Sequence, residues 1–416
     1  MIGANAGRWD PARLRVKSVN VVSENTDPAV RLLILSAGDP ESERAFSGSL
    51  RSLCRALERR GIVHHKANVN GYTDSFARAP LPIRVLQRVD KRNRIGHYRY
   101  SRLAFLRNSR RGRRAAAAHA GFNACLMYGT TFNPALEVPT YCYFDATAAQ
   151  VCRAGQWTLG RLPKGKAQAV IDYQKRVFDS CTAIFPRSRW AAASVASDYG
   201  VPAGKVCVAS AGPNHVVDPL PHKAYDAQTI LFIGRDFERK GGPLIVEAFR
   251  RLREDLPDAR LVIIGCTPPL EEPGIEIVGP VSKDSPGGLQ RLLEYYSQAS
   301  LFCVMSSFEP FGIVIVEAQD AHVPCVVPKR FAFTEMVVDA VTGRHVDKDD
   351  PALLARVFVE LLPNPARLEA MGKAAHEHVR ANYTWDVAAQ RIHERIQQDL
   401  ARLEFRGLEF RGQTTK

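Results

Sequence analysis

A chain of 416 residues is longer than one hydrophobic core ordinarily organises, so two or three domains are expected. Its 45% hydrophobic and 24% charged residues are the proportions of a globular protein, and no apolar run reaches the roughly 20 residues that crossing a bilayer requires. The net charge of +14 is the one departure, and it is concentrated in a single stretch.

The opening residues, MIGANAGRWDPARLRVKS, have no apolar h-region, which argues against a secretory signal and for a cytoplasmic chain. The nine cysteines include no C-x-x-C pair, and most sit in apolar runs (Cys142, Cys207, Cys266, Cys303, Cys325). That is the pattern of reduced core thiols rather than of a disulfide frame or a zinc site.

Residues 1–28 are polar and broken and read as a loose arm. A first domain is expected over 29–213. It begins with a strand at Ala29–Ser36, a loop containing Ser47 and Gly48, and a helix from about Ser49 to Arg60 whose apolar face is Leu50, Leu53, Cys54 and Leu57. Residues 62–69 read as the next strand. Residues 84–114 then hold twelve Arg or Lys against one acid, Asp90, interleaved with Tyr98, Tyr100, Leu103, Phe105 and Leu106. Cations mixed with apolar anchors suit an anionic membrane surface, met peripherally from its inner face. Nucleic acid is the rival partner and is not expected; a solvated basic helix is the plain alternative. Strands follow at Ala124–Tyr128, Thr140–Phe144, Thr182–Phe185 and Lys205–Ala209, with helices before and after the third.

The Gly-, Pro- and His-rich stretch around 214–228 reads as a linker. A second strand–helix alternation fills 229–384, with strands near 229–233, 259–264, 275–278, 300–305 and 323–327. Helices are expected at 243–255, 287–299 and 351–362. Two such alternations mean two parallel-sheet domains. A helix from Trp385 to 402 and a charged tail, 403–416, containing the duplication LEFRGLEFRG, end the chain.

Polar groups gather at the expected strand ends of the second domain. Gly234-Arg235-Asp236-Phe237-Glu238-Arg239-Lys240 leads into a helix with Pro243 in its first turn, and two cations beside a helix N-terminus make an anion site. In SSFEPFGIVIVE, Glu309 and Glu317 are eight residues apart. On one regular helix they would diverge by about 80°. They can face one ligand only if Glu309 lies in the loop and Glu317 inside the helix. Alone, they also read as a dipole-favoured acid and a solvated helix position. Asp347-Lys348-Asp349 is the one D-x-D; Asp350 reads as a helix cap.

In combination these motifs resemble the retaining GT-B glycosyltransferases of family 4, the glycosyl transferases group 1. FIGRDFERKGG is similar to their donor-phosphate turn, LVIIG and IVGPV to two central strands, and SSFEPFGIVIVEA to their two-glutamate motif. TEMVVDAVTGRHV and Tyr383-Thr384-Trp385 are similar to the segments after it. The resemblance covers roughly 180–395 well and 29–180 weakly. It implies two Rossmann-like, doubly wound α/β domains facing across a cleft, and hexose transfer from a UDP- or GDP-sugar to a carbohydrate or lipid-linked acceptor. Arg235 and Lys240 would neutralise the diphosphate, and Glu309 would hold donor-sugar hydroxyls, with backbone N–H groups at Phe311 and Gly312. Glu317 would take the ribose, and Gly234, Gly279, Val281, Ser47 and Gly48 would line the donor. Fixed cations would stand in for a metal ion, so no cofactor is expected. The first domain departs from the pattern. Its glycine-rich loop is reduced to Phe46-Ser47-Gly48-Ser49, and Asp145 stands where many members carry histidine, which leaves the base and the acceptor open. A non-catalytic module that only binds nucleotide or membrane is the alternative.

Overall fold

The computed structural model describes residues 29–42, 45–70, 98–215, 223–283 and 285–413. The expected N-terminal arm, much of the basic stretch, the linker over 216–222 and the last three residues lie outside these.

The first domain carries a five-stranded sheet of order β2-β1-β3-β4-β5, with β1 at Leu32–Ser36, β2 at Val63–Asn68, β3 at Ala124–Tyr128, β4 at Thr140–Phe144 and β5 at Ala183–Pro186. All its pairs are parallel. β1, β3, β4 and β5 are buried at every position, because helices cover both faces of a parallel sheet and an unbroken apolar run then costs nothing. The helices are α1 (Ser49–Arg59), α2 (Arg102–Ala118), α3 (Ala148–Arg153), α4 (Trp157–Gly160), α5 (Lys164–Ser180) and α6 (Arg189–Tyr199).

A second sheet has the order β11-β10-β9-β6-β7-β8, again parallel throughout. Its strands are β6 (Thr229–Ile233), β7 (Arg260–Ile264), β8 (Ile275–Gly279), β9 (Leu301–Cys303), β10 (Cys325–Pro328) and β11 (Gly343–Val346). Around it lie α7 (Gly242–Asp255), α8 (Gly288–Gln298), α9 (Ile313–Asp320), α10 (Phe333–Met336), α11 (Pro351–Leu361) and α12 (Pro365–Asn382). The last helix, α13 (Trp385–Gln413), returns to the first domain and packs along α1, where Arg59 pairs with Asp386 at 2.7 Å.

In both sheets the order reverses beside the first strand, between β1 and β3 and between β6 and β9. Loops leaving the carboxyl ends of those strands open a crevice, the usual ligand position in open α/β sheets.

Two expectations are corrected. Residues 205–209 do not form a strand: one bridge joins Val206 to Ile184, and Cys207 and Ala209 donate to the carbonyls of Ile184 and Pro186. Pro186 has no N–H to return a rung, so the ladder stops. Nor does the last helix end at 402, since α13 continues through the duplication to Gln413; one internal glycine weakens a helix by about 1 kcal/mol without breaking it.

The domains meet through specific groups. Glu335, in α10, accepts from the N–H groups of Arg189 (2.8 Å) and Trp190 (3.1 Å) at the start of α6. Trp385 donates through Nε1 to the Pro213 carbonyl at 2.8 Å. The Phe308 ring lies 5.3 Å from that of Trp157, 6.1 Å from Trp190 and 5.6 Å from Phe331. Because Glu335 caps a helix of the other domain, Glu335→Ala is expected to lower stability by about 1 kcal/mol. Glu335→Gln, which keeps an acceptor oxygen, should lose less than half of that in the same urea titrations.

Candidate functional site

The loop after β6 turns back on itself. Arg239 N–H donates to Asp236 Oδ1 at 3.1 Å, and Gly241 (φ 78°) starts α7. A Cβ at Gly241 would lie 2.4 Å from the Met305 carbonyl oxygen, so only glycine lets this loop lie against the chain leaving β9. Met305 N–H donates to the Lys240 carbonyl at 3.0 Å and Ser307 N–H to the Arg239 carbonyl at 2.8 Å. The two switch-point loops are thereby stitched together.

That stitching brings Lys240 Nζ to 2.5 Å from Glu309 Oε2, with Arg239 Nη1 3.5 Å from the same oxygen and 2.8 Å from the Phe308 carbonyl. Lys240 is buried, whereas Arg235 is exposed and makes no ion pair among the described residues. The cation beside Lys240 at the carboxylate is therefore Arg239, and Arg235 stands at the solvent side of the turn. The sequence signal for Arg239 is its place in the Arg-Lys pair.

Glu309 is in the loop and Glu317 is the fifth residue of α9. IVIV is a strand by propensity, yet Gly312 (φ 87°) turns the chain into a helix start without a capping side chain, leaving the first-turn N–H groups of α9 toward the crevice. Phe311 is a core side chain whose ring lies 6.2 Å from Tyr383. Gly234 donates to the Ile264 carbonyl at 2.9 Å, Gly279 ends β8 with φ 75°, and Val281 packs against the core two residues later.

Glu317 is enclosed. Its Oε1 receives Lys283 Nζ at 2.7 Å, His215 Nδ1 at 3.3 Å and the Asn214 N–H at 3.3 Å. Burial alone would raise the carboxyl's pKa, but Lys283 and His215 outweigh it and hold the acid well below the ordinary carboxylate range. Asn214 also donates to the Ser47 carbonyl at 2.7 Å and accepts from Ser52 Oγ at 3.1 Å, so one side chain ties the first-domain loop to Glu317. In that loop Phe46 (φ 51°), Ser47 (φ 57°) and Gly48 (φ 87°) are all left-handed. For two non-glycine residues this is stored strain of the kind found at ligand loops. The short turn lets Gly48 begin α1 without a side-chain cap. Sequence reasoning missed Lys283, His215 and Asn214.

Asp145 directly follows β4 in the first domain. Its Oδ1 accepts from the Ala146 N–H at 2.9 Å, and its Oδ2 lies 3.8 Å from Nη1 of Arg187, a buried guanidinium that also donates to the Tyr128 hydroxyl. That guanidinium lies 5.5 Å from the Tyr128 ring centre and 5.1 Å from that of Tyr143. Arg187 was not legible as part of the site.

Among the described residues no three His, Cys, Asp or Glu side chains stand close enough to hold a metal ion. Asp347 and Asp349 are paired with Lys329 and Arg330, and Asp350 caps α11 by accepting from Ala352 N–H at 2.8 Å. His65 and His119 stack on each other at 3.4 Å, and His64 contacts the Ala120 carbonyl at 3.0 Å, on the outer side of β2.

Residues 221–378 match the family described as Glycosyl transferases group 1, which assigns the second domain to that group. Over 188 residues the chain is 32% identical to the D-inositol 3-phosphate glycosyltransferase of Corynebacterium diphtheriae, covering 42% of this chain and 44% of that one. The chain spans about half the length, or less, of the curated relatives it matches. Among solved structures, the sucrose-phosphate synthase from Thermosynechococcus elongatus superposes with a TM-score of 0.62 at 16% identity, over 89% of this chain and 99% of that one. HepE from Anabaena, in complex with UDP and glucose, gives 0.59 at 12% identity over 88% and 100%. The fold is GT-B.

Removing the charge of Glu317 strands Lys283 and His215. Glu317→Gln should cost about 2–3 kcal/mol, less than a fully buried broken pair because the Lys283 side chain is 35% exposed. The carboxyl is depressed in the folded state, so its contribution is present above the unfolded carboxylate range and is lost as pH falls through the lower folded value. Denaturation midpoints of the two proteins should therefore stay apart at pH 5 and converge only in stronger acid.

Proposed function

We propose that this protein is a retaining, metal-independent hexosyltransferase moving a sugar from a UDP- or GDP-linked donor to an acceptor hydroxyl. The observation that carries this reading is Lys240 and Arg239 meeting Glu309 at the β6/β9 switch point, beside the uncapped N-termini of α7 and α9. An oxygen dianion fits such a setting: the helix ends offer N–H groups and partial positive charge, and the two side chains offer fixed cations with nothing to reorganise. Arg235, exposed at the outer edge of the turn, supplies a further cation for the diphosphate.

In the proposed reaction Lys240 and Arg239 pass from Glu309 to the diphosphate as the donor enters, which frees the carboxylate to accept hexose hydroxyls. The C1–O bond breaks with its electrons going to the phosphate oxygen. The acceptor oxygen bonds C1 on the same face, and its proton leaves to the departing phosphate or to Asp145. Glu317 receives the ribose hydroxyls by exchange with Lys283, and backbone near Gly279 and Val281 faces the base. The bound UDP and glucose of HepE support a nucleotide-sugar donor, and the name of the Corynebacterium relative supports a polyhydroxylated acceptor. Glycan assembly from a carbohydrate or lipid-linked acceptor is the setting we propose.

A second reading, a GT-B module that binds nucleotide without turnover, is favoured by the occupied Glu317, whose partners must move before a ribose can reach it. A panel of UDP- and GDP-sugars separates the two: release of free nucleotide belongs to the enzyme alone. Glu309→Ala should lower donor turnover about 100-fold or more, the scale for losing one group aimed at transition-state charge. Arg235→Ala should lower it less, by about tenfold. Unchanged turnover in both variants overturns the proposal.

A peripheral position at the cytoplasmic membrane face belongs to the same proposal. No helix among the described residues is long and apolar enough to cross a membrane. On α2, Leu103, Leu106, Arg110, Arg113 and Arg114 recur at helical spacing and are exposed, with no acid in the helix. Vesicles containing anionic lipid should bind the protein, neutral vesicles should not, and binding should fall steeply between 0.05 and 0.5 M salt, about the range over which the screening length shortens severalfold.

A further inference from the structure

Beside Asp145 the first domain holds a half-open cavity of about 160 Å³. Six aromatic side chains line it: Phe46, Tyr100, Phe105, Phe144, Trp157 and Tyr173. Val151, Leu159 and Val170 complete the apolar wall.

Four polar side chains of the same wall, Ser101, Thr130, Thr147 and Gln174, are committed to the fold. Ser101 Oγ accepts from the Ala104 N–H at 3.2 Å, and Thr130 Oγ1 from Gln174 Nε2 at 2.7 Å. Gln174 Oε1 accepts from the Ala148 N–H at 2.7 Å and from the Tyr199 hydroxyl. Thr147 Oγ1 lies 2.6 Å from Ser194 Oγ. The two charged groups of the lining, Arg99 and Asp145, are outward: Arg99 is exposed, and the Asp145 side chain is 48% exposed. The interior is thus mostly apolar, with the hydroxyls of Tyr100, Thr131 and Tyr173 in its wall and a charged rim. An apolar cavity of about 150 Å³ is the size that takes one benzene ring.

Trp157 joins this cavity to the donor crevice. It is 42% exposed, its backbone is held at φ 54°, and its ring meets Phe308, the residue before Glu309, edge to face at 5.3 Å. A strained, half-exposed tryptophan at a ligand crevice is a contact surface rather than core.

We propose that this cavity is an acceptor subsite for a planar six-membered apolar ring, an aryl group, carried next to the hydroxyl that is glycosylated. The assignment rests on the hexosyltransferase reading for the word acceptor and on the cavity itself for the word aryl. The ring enters among Tyr100, Phe105 and Trp157, and the attached hydroxyl stays at the rim with Asp145, on the side of Phe308 and Glu309. A pyranose alone would bring a full set of hydroxyls to a wall built mainly of aromatic and aliphatic side chains, with more hydroxyls than the three of Tyr100, Thr131 and Tyr173 can meet, each surplus one at a desolvation cost.

The test measures binding, not turnover. Phenyl β-D-glucoside, methyl β-D-glucoside and octyl β-D-glucoside below its micelle concentration are titrated against the full chain by calorimetry, with UDP titrated in parallel. The phenyl compound is expected to bind at least tenfold tighter than the methyl compound. Trp157→Ala, and Val151→Phe, which fills the cavity, should each abolish the difference; circular dichroism reports whether Val151→Phe folds, and Trp157→Ala decides alone if it does not. Equal binding of the phenyl and methyl compounds overturns the proposal, as does a phenyl preference that survives Trp157→Ala. Octyl binding equal to phenyl overturns the ring assignment in favour of an alkyl chain drawn from lipid. A protein that holds the phenyl compound and no UDP keeps this subsite and removes the donor reading.

Discussion

A single contact between two loops governs the second domain: the chain leaving β9 is hydrogen-bonded to the chain leaving β6, and a lysine from one is paired with a glutamate from the other. These loops depart from adjacent parallel strands, so their separation at the root is set by the sheet, close to about 4.8 Å. Gly241 allows them to touch, because any side chain there would occupy the Met305 carbonyl position. The carboxylate of Glu309 thereby has its ionic partners fixed before any ligand arrives. In the proposed donor complex the same arrangement would make the cations available to an anion, since an incoming phosphate would replace one negative charge by another.

The two glutamates show how differently equal residues can be treated. Glu309 is met from one side by cations on a loop and is open to exchange. Glu317 is surrounded by three groups from two places: Lys283 after β8, and His215 and Asn214 just past the end of the first domain. Because Asn214 is also bonded to Ser47, the left-handed loop of the first domain and the α9 carboxylate are two bonds apart. Asn214 by itself therefore links the Glu317 carboxylate to the first-domain loop.

Much of this was legible in the sequence, for identifiable reasons. Most strands of both parallel sheets announce themselves as apolar runs between helix-period segments, whereas β11 (GRHV) was not expected and β2 (VHHKAN) is no apolar run; Glu309 and Lys240 belong to motifs whose order is distinctive. Placing Glu309 in a loop and Glu317 in a helix required accepting IVIV as helical against its propensity, which the glycine before it makes possible. The residues that escaped are those whose role comes from distance in the chain. Lys283 and His215 are 68 residues apart and meet only at the domain junction. Arg187 lies beneath Asp145 because β4 and β5 are paired, a fact with no local signature. Trp157 reads in sequence as one aromatic among many; its exposure and its backbone angle distinguish it.

The chain passes between the two domains twice, outward after Gly212 and back at Trp385. The two passages touch: a Cβ on Gly212 would lie 2.5 Å from the Trp385 backbone nitrogen, and Trp385 is bonded to the Pro213 carbonyl. Two covalent crossings that converge on one spot act as a pivot. They forbid the domains from sliding along each other while leaving rotation about that spot unopposed by the backbone. Resistance to rotation must then come from side chains at a distance from the pivot, Glu335 of α10 against the start of α6 and Phe308 among the tryptophans. A lever of this kind turns a small angular change at the crossing into a larger linear opening at the crevice rim, where Trp157 and Glu309 face each other's domains.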